Sequence, residues 1–345
     1  MNVLARGRVI APEEWADLPT PDVYFTKEYH DASGIADPDF SKSVLLNWVD
    51  DSGRVYLPLM LRSIKGQSYF DATSAYGYGG PWLEGQPDLV AFRRFFDDWA
   101  RDNQIISSFI RFHPLLNNAE EFSGVLPVTR IGQTAAWNLQ DSEDLVGGMS
   151  KNHRKSWRRA VRAGVEARVT HNPEQVSGFR DLYEVTMGRL RAERSYWLPA
   201  KYWESLKDGL GKASILVEAI YQDRVVAAVW CLVSDEYLHF HLSGTTEEGR
   251  RLGGAFICRV AAAEWAREAG KSKAHFGGGV GGTGSSLLDW KRRFDESAPL
   301  NDYCVANVVH DREMFAELAE GYPRDGFFPP WRNPRGPMAT ADEDT

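Results

Sequence analysis

The sequence predicts an α/β protein of the α+β type, with mixed, mainly antiparallel sheets flanked by helices. Three observations lead to this fold class. The 345-residue chain has room for two domains that each bury a core. With 43% hydrophobic and 26% charged residues, its composition is globular, neither disordered nor fibrous. Its second half contains an antiparallel meander followed by a helix, a strand and another helix.

The first half is predicted to form one α/β unit. Two strands, Val44–Asp50 and Val55–Arg62, flank a tight turn, and a Gly-rich loop follows at Tyr76-Gly-Tyr-Gly-Gly-Pro81. Apolar residues at spacings of three and four then predict an amphipathic helix over Asp88–Asn103. The apolar run Ile105–Phe112 predicts the strand that follows it.

The second half opens with an acidic segment, Asp141–Asp144, and a basic helix, Lys151–Ala163, that ends at Gly164. The meander consists of three β runs joined by tight turns: Ala213–Tyr221, Arg224–Ser234 and Tyr237–Gly244. After it we expect a turn at Glu247–Arg251, a helix over Gly253–Glu268, the strand Ala274–Phe276 and the Gly-rich loop Gly277–Gly282. This order indicates helices packed on a mixed sheet rather than a purely doubly wound sheet.

These patterns predict two domains and a tail. The first domain covers residues 1–145 and the second covers residues 146–310. Residues 311–345 are predicted to form a C-terminal helix and, from Gly326 onward, a loosely ordered tail rich in Pro, Gly and polar residues.

The formal net charge of −8 argues against indiscriminate nucleic-acid binding, including DNA. One stretch reverses this charge, because Glu166 is its only acid and it holds seven basic residues: Lys151, Arg154, Lys155, Arg158, Arg159, Arg162 and Arg168. No apolar run is long enough to span a membrane, and the first residues lack the core of a signal peptide, so we expect a cytoplasmic protein. The three widely spaced cysteines fit reduced, buried thiols.

The helix near Ser285–Phe294 places Lys291 inside an apolar arc. The arc contains Leu287, Leu288, Trp290 and Phe294, and the opposite face contains Asp289, Arg292 and Arg293. A lysine there reaches to solvent, pairs with a buried carboxylate or points into a cleft. In acyl transfer the carbonyl oxygen gains negative charge, which an ammonium in a partly dry site stabilises. We therefore expect Lys291 to be catalytic.

Two glycine-containing turns are candidate binding sites. The amides of Gly277–Gly282 can bind an anion or let a substrate approach, although a structural turn explains the loop as well. Arg250-Arg-Leu-Gly-Gly-Ala255 matches the R-x-x-G-x-A pattern by which GNAT acetyltransferases bind the pyrophosphate of acetyl-CoA at a helix N-terminus. We expect Arg250, Gly253 and Gly254 to bind donor phosphates.

Arg154, Arg158 and Arg162 recur every four residues along one side of the basic helix, while Trp157, Ala160 and Val161 form an apolar stripe. A solvated charged face is one interpretation. A phosphate-rich partner is the other, and its binding would weaken steeply with salt.

His239 and His241 share one face of a predicted strand with Tyr237 and Ser243. Either histidine can act as a general base, but packing or hydrogen bonding explains them as well. With no carboxylate or third ligand at a recognisable spacing, the sequence predicts no metal site.

Three segments resemble the Fem-type (FemAB/FemX-like) family of aminoacyl-tRNA-dependent transferases, within the GNAT superfamily. They are Lys151-Asn-His-Arg-Lys155 leading to Ala163-Gly-Val-Glu166, the helix start Gly253-Gly-Ala255, and Phe276-Gly-Gly-Gly279 with Asp289-Trp-Lys-Arg-Arg-Phe294. The resemblance extends over most of the chain and implies tandem GNAT-like domains. The long charged hairpin of several cell-wall members is absent, so a compact member is implied.

The resemblance also implies an activity. An amine of an acceptor, commonly a peptidoglycan precursor and sometimes a natural-product intermediate, attacks the aminoacyl ester of tRNA and forms an amide. Lys291 falls on the lysine of the family's K-R-x-F motif, which stabilises the oxyanion, and Trp290 falls on its aromatic neighbour. Aminoacyl-tRNA is a co-substrate, and neither a separate cofactor nor a dedicated protein base is required.

The resemblance assigns the first domain to the acceptor and the second to the donor and to catalysis. The residues expected to bind the acceptor are Arg194, Tyr196, Tyr78, His241, Gly278 and Gly279, with Lys27 as a further candidate. Two other functions stay open: an acyl-CoA-dependent GNAT N-acyltransferase, favoured by Arg250–Ala255, and a non-enzymatic binding module on the same fold.

Overall fold

The computed structural model describes residues 6–140, 144–279 and 285–337. Most of the predicted acidic segment, at 141–143, and residues 280–282 of the predicted Gly-rich loop lie outside this part of the chain. The strands are β1 Arg6–Val9, β2 Phe40–Asp50, β3 Gly53–Ser63, β4 Phe70–Thr73, β5 Trp82–Gly85, β6 Ile105–Arg111, β7 Val128–Asn138, β8 Glu166–His171, β9 Ser214–Tyr221, β10 Arg224–Val233, β11 Tyr237–Thr245, β12 Lys273–Gly278 and β13 Asn301–Val309.

The α-helices alternate with these strands. They are α1 Pro12–Ala16, α2 Lys27–Ile35, α3 Leu89–Asp102, α4 Asn118–Phe122, α5 Leu145–Gly148, α6 Lys151–Arg162, α7 Ser177–Leu190, α8 Ala200–Leu210, α9 Glu247–Leu252, α10 Gly254–Glu268, α11 Ser286–Arg292 and α12 Arg312–Leu318. None of these described helices has the length and apolar character needed to cross a membrane.

The chain forms two compact units that are not continuous in sequence. Unit 1 takes the described residues of Met1–Asp17, Asp37–Arg130 and Cys304–Thr345, and unit 2 takes those of Leu18–Ala36 and Ile131–Tyr303. This division differs from the predicted limits at 145 and 310. The early segment around α2 belongs to unit 2 because of contacts with residues that are remote in sequence. A local sequence pattern does not predict such contacts.

The sheet of unit 1 has the strand order β1-β2-β3-β4-β6-β13, and β5 also pairs with β3. Its pairs are antiparallel except for β4 with β6, which is parallel. Helix α3 buries Phe92 and Phe96 in the core of this unit. Its N-cap is Asp88, whose carboxylate accepts hydrogen bonds from the amides of Val90 and Ala91.

The segment that contains Trp331 and Arg332 is bound by the buried carboxylate of Asp71 in unit 1. Arg62 approaches one carboxylate oxygen to 2.6 Å. The other oxygen accepts hydrogen bonds from Trp331 Nε1 at 2.7 Å and Arg332 Nε at 2.8 Å. The sequence predicted a loosely ordered tail from Gly326; instead Trp331 and Arg332 bind a strand, because a buried carboxylate needs such donors.

The sheet of unit 2 has the strand order β7-β12-β11-β10-β9-β8. Again one pair is parallel, β11 with β12, and the others are antiparallel. The predicted meander is confirmed as β9-β10-β11, and both residues of its first turn, Gln222 and Asp223, have positive φ. The predicted fold class, with mixed and mainly antiparallel sheets flanked by helices, is therefore confirmed.

The segment before α10 differs from the prediction. Glu247–Leu252 forms helix α9 instead of a turn, and the side chain of Thr246 caps it by accepting from the amide of Gly249. Gly253, at φ +95°, then separates α9 from α10. Because such a φ favours glycine, one residue is enough to redirect the chain between the two helices.

The three cysteines are free thiols, as predicted. Cys231 and Cys258 are buried in unit 2, and Cys304 is half-buried. Burial raises the pKa of the Cys258 thiol to about 12. Cys231 and Cys258 therefore serve as small core residues rather than nucleophiles, whereas Cys304 is less buried than predicted.

Candidate functional site

Lys291 lies at the C-terminal end of α11 and points back toward the end of β12. Its ammonium donates a hydrogen bond to the carbonyl oxygen of Gly278 at 2.5 Å. The side chain is half-buried. Burial, and then the positive charge of Arg259, lower the pKa of Lys291 to about 8. The lysine is thus still charged at neutral pH, in a position where little water shields its charge.

Gly278 belongs to an opening in the sheet of unit 2. Strands β11 and β12 pair only where Tyr237–His239 meets Lys273–His275. After these residues, β11 is still paired with β10 on its other side, and β12 is still paired with β7. The carbonyl of Gly278 lies past the end of the parallel pairing, so Lys291 is held where the two parallel strands part.

The start of α11 depends on a close approach between Gly279 and Ser285. The Ser285 hydroxyl caps the helix by accepting from the amide of Leu288 at 3.1 Å. A Cβ on Gly279 would lie 1.7 Å from that hydroxyl oxygen. Gly278 and Gly279, predicted to bind the acceptor, therefore have clear structural roles beside Lys291.

An aromatic cluster supports the helix that carries Lys291. The rings of Trp290 and Phe294 are 5.0 Å apart, and Phe256 of α10 packs on both, at 5.8 and 5.7 Å. Leu288 and Phe294 are buried, as the apolar arc predicted, but Leu287 is 39% exposed. Leu287 lies in the first turn of α11, and its predicted place in the buried arc is wrong.

His153 of α6 holds the same helix from the other side, a role that the sequence did not reveal. Its Nε2 lies 2.9 Å from the carbonyl oxygen of Trp290, and because a carbonyl only accepts, Nε2 carries the proton. Burial lowers the pKa of His153 despite this hydrogen bond, which keeps the ring neutral. The amide of Ser150 also donates to the carbonyl of Arg293 at 2.9 Å. The only signal in the sequence was the place of His153 in the Lys151–Lys155 motif.

Arg259 was also missed by the sequence analysis. It projects from α10, and its guanidinium lies 4.9 Å from the ring centroid of Trp290 and 5.7 Å from that of Phe240. One guanidinium nitrogen donates to the carbonyl of Ala255 at 3.1 Å. The periodicity of α10 gives no hint that this arginine reaches the residue next to Lys291.

The R-x-x-G-x-A turn packs closely against helix α6. Gly253 and Gly254 are buried, and the amide of Gly253 donates to the carbonyl of Gly249 at 2.9 Å. A Cβ on Gly253 would lie 2.9 Å from the Ser156 carbonyl of α6. The exposed Arg250 pairs with Glu247 at 2.8 Å. These glycines therefore allow close packing of helices.

The three arginines of the basic helix have different surroundings. Arg154 donates to the carbonyl of Gly147 at 2.8 Å and to that of Met149, so its guanidinium stabilises the turn before the helix. Arg158 and Arg162 are exposed. Val161, which the sequence placed in the apolar stripe, is 47% exposed. The exposed cationic face therefore contains Arg158 and Arg162, and Arg154 is directed elsewhere.

The two histidines of β11 are bonded within unit 2. His239 Nε2 lies 2.8 Å from a carboxylate oxygen of Asp22, which the sequence analysis did not find because 217 positions separate the two residues. His241 Nε2 lies 2.9 Å from the hydroxyl of Tyr202. Burial, and then His239, lower the pKa of His241 to about 3. A neutral His241 is suited to hydrogen bonding with a substrate rather than to strong general-base catalysis.

Among the described residues, Arg194, Tyr196 and Lys27 have no hydrogen bond, ion pair or ring contact with Lys291 or its aromatic neighbours. Arg194 and Tyr196 lie in a short, exposed 3-10 helix, where the Tyr196 carbonyl accepts from the Tyr183 hydroxyl at 3.0 Å. Lys27 pairs with Asp31 one turn later in α2 at 2.5 Å. Their part in binding stays a prediction.

In unit 1, Tyr78 lies half-buried in the Gly-rich loop predicted at Tyr76–Pro81. Its ring meets that of His113 edge-on at 5.9 Å. The side-chain amide of Asn118 fixes the loop by donating to the carbonyls of Gly79 at 2.8 Å and Pro81 at 2.9 Å. These bonds fix the backbone of the loop next to Tyr78.

Residues 148–292 match the family described as an acetyltransferase (GNAT) domain. No curated protein matches the chain significantly. Among solved structures, FemX is similar with a TM-score of 0.67 and 10% identity, over 91% of this chain and 99% of that one. A conserved protein of unknown function from Bacteroides thetaiotaomicron is similar with a TM-score of 0.56 and 13% identity, over 88% of this chain and 99% of that one.

A third similar structure is L-PGS from Bacillus licheniformis, with a TM-score of 0.52 and 12% identity, over 77% of this chain and 87% of that one. At these identities the likeness concerns the fold. The predicted resemblance to FemX-like GNAT proteins is confirmed at that level.

Proposed function

We propose that this chain, with its GNAT domain in a FemX-like fold, is an N-acyltransferase that moves an aminoacyl group from aminoacyl-tRNA to an amine. The acceptor is a small molecule or a peptide, such as a peptidoglycan precursor or a natural-product intermediate. The observation that carries the proposal is the half-buried ammonium of Lys291, held at the carbonyl of Gly278 where β11 and β12 part.

The chemistry follows from this ammonium. The acceptor amine attacks the ester carbonyl carbon, and the carbonyl oxygen becomes an oxyanion next to Lys291. When the intermediate collapses, the bond from carbon to the ribose oxygen breaks and an amide remains. The proton lost by the amine ends on that ribose oxygen, so the products are the amide and free tRNA. Because the ester is already activated, no strong protein base is required, in keeping with a neutral His241.

Two observations favour tRNA over coenzyme A as the donor. The exposed Arg158 and Arg162 give α6 a cationic face that suits the sugar-phosphate backbone of an RNA. At the turn where the R-x-x-G-x-A pattern would bind pyrophosphate, the amide of Gly253 is already bonded within the chain. The exposed Arg250 still favours an acyl-CoA donor as the second candidate.

The test is transfer of labelled amino acids from a mixture of charged tRNAs to cell-wall precursors and small amines, beside a parallel reaction with labelled acetyl-CoA. We expect transfer from the charged tRNAs that disappears after ribonuclease treatment. Label arriving only from acetyl-CoA would assign the chain to the CoA-dependent N-acyltransferases. Acceptor binding without transfer from either donor would indicate a binding module.

A further inference from the structure

Two cations of unit 2, Arg259 and Lys291, interact with each other, and the guanidinium of Arg259 has two neutral hydrogen-bond acceptors, the Ala255 carbonyl and the Ser243 hydroxyl. The guanidinium of Arg259 lies over the ring of Trp290, the residue before Lys291. Its positive charge repels the ammonium of Lys291 and helps to lower the pKa of that lysine. Within residues 6–140, 144–279 and 285–337, neither cation forms an ion pair with a carboxylate. The Nε of Arg259 is buried and has no hydrogen-bond acceptor in this part of the chain.

Such an arrangement is unfavourable for the protein alone. Removing a guanidinium from water costs several kcal/mol unless an anion or enough hydrogen bonds replace the water. A second positive charge nearby adds repulsion. Burial accordingly lowers the pKa of Arg259. The chain retains both charges here, so a negatively charged ligand would supply the missing partner.

The position of the pair narrows the choice of ligand. Lys291 is placed at the acyl carbonyl, and in charged tRNA a phosphodiester lies only a few bonds from that carbonyl, on the same terminal nucleotide. The part of the acceptor that approaches the acyl carbonyl is an uncharged amine, so it does not supply a negative charge there. A guanidinium also presents a planar fork of N–H donors that matches two phosphate oxygens.

We propose that Arg259 binds a phosphate group of the donor, next to the acyl carbonyl that Lys291 stabilises. The inference builds on the proposed function and assigns a donor-binding residue to the same site. The phosphate is that of the terminal nucleotide of aminoacyl-tRNA. The pyrophosphate of an acyl-CoA has the same chemistry, and the experiment separates the two sources.

The probes are unreactive donor mimics in which an amide replaces the aminoacyl ester on a cytidine-adenosine dinucleotide. One mimic has the natural phosphodiester and the other has an uncharged methylphosphonate in its place. We expect the wild-type chain to bind the charged mimic roughly ten- to a hundredfold more tightly, as for a hydrogen bond to a charged group. Arg259→Met should bind both mimics equally, and Arg259→Lys should retain part of the preference.

Two measurements separate binding from a structural role. Arg224→Met removes an exposed arginine from β10 and should leave the preference unchanged. The thermal midpoint of ligand-free Arg259→Met should equal or exceed that of the wild type, because a buried charge has been removed. A lower midpoint together with weaker binding of both mimics would overturn the proposal in favour of a structural role.

The remaining outcomes are also decisive. If the wild type does not distinguish the two mimics and coenzyme A binding is unaffected by Arg259→Met, the proposal is wrong. If Arg259→Met weakens only coenzyme A binding, Arg259 keeps its role as a phosphate ligand and the tRNA donor is excluded. If the mimics are distinguished but no transfer occurs, the binding residue stands and the proposed activity fails.

Discussion

Lys291 has a charge that depends on pH within the range used for enzyme assays. Its predicted place among apolar residues holds, and what the sequence left open was where the ammonium points. Gly278 supplies the hydrogen-bond acceptor, and Arg259 supplies the neighbouring charge that moves the pKa. These contacts join residues from three elements, so no single helical pattern contains them.

We expect Lys291→Met to lower kcat by roughly 10²- to 10³-fold, as when one donor to an oxyanion is removed. In the wild type the pKa of Lys291 is lowered to about 8, so its ammonium is present below pH 8 and lost above it. The rate of transfer should therefore fall as the pH rises through 8. The measurement is the pH profile of kcat for transfer.

The variant should fold at least as well as the wild type at pH 7. The pKa of the lysine is lower in the folded chain than in the unfolded one, so charging it opposes folding below its usual value near 10.5. Lys271→Met, which removes an exposed lysine that donates to the carbonyl of Asp235, is the matched control. A Lys291→Met variant with near wild-type kcat would remove the lysine from the mechanism.

At the scale of elements, helix α6 has two roles: some of its side chains bind backbone carbonyls and others form an exposed cationic surface. The sequence predicted one basic face for all of them. Arg154 and His153 bind backbone carbonyls within unit 2. Arg158 and Arg162 remain exposed. A spacing of four identifies residues on one side of a helix, but a side chain in the first turn can bend back to the loop that precedes it. The elements were otherwise well predicted where periodicity or tight turns were strong, as in β9-β10-β11.

We expect Arg158→Gln together with Arg162→Gln to weaken tRNA binding and to reduce the slope of log affinity against log salt by about two. Each arginine contributes about one phosphate contact to that slope. The measurement is a salt titration of tRNA binding by filter retention or fluorescence.

Arg154→Gln serves as the comparison on the same helix. It should leave the salt slope nearly unchanged, because its guanidinium is engaged by Gly147 and Met149. An unchanged slope in the double variant would mean that α6 carries only a solvated charged face.

For the molecule as a whole, the two-part architecture was predictable from length and from the meander, whereas the interleaved composition of the units was not. The carboxylate of Asp71 illustrates the reason. It binds Arg62 from the neighbouring strand and also Trp331 and Arg332 from the last described residues. Contacts over 260 positions leave no trace in local composition, so the sequence did not predict the bonds of Trp331 and Arg332 to Asp71.

We expect Asp71→Asn to lower the free energy of unfolding by about 3–5 kcal/mol, because two arginines lose the carboxylate that balances them. Asp98→Asn is the control. Asp98 forms an exposed pair with Arg101 in the same unit, and its loss should cost less than about 1 kcal/mol. Urea unfolding followed by fluorescence measures both changes. Equal stabilities for the two variants would show that the buried network contributes no more than a surface pair.

The division of unit 1 over three separate stretches of chain also determines the order in which it can be completed during translation. The part of β13 that pairs with β6, Val305–Val309, and Arg332, which binds Asp71, leave the ribosome only after every described residue of unit 2. Unit 1 therefore waits, with β6 unpaired on one side, while unit 2 already has all its strands. Its apolar strands are the part of the nascent chain that a chaperone would have to shield longest.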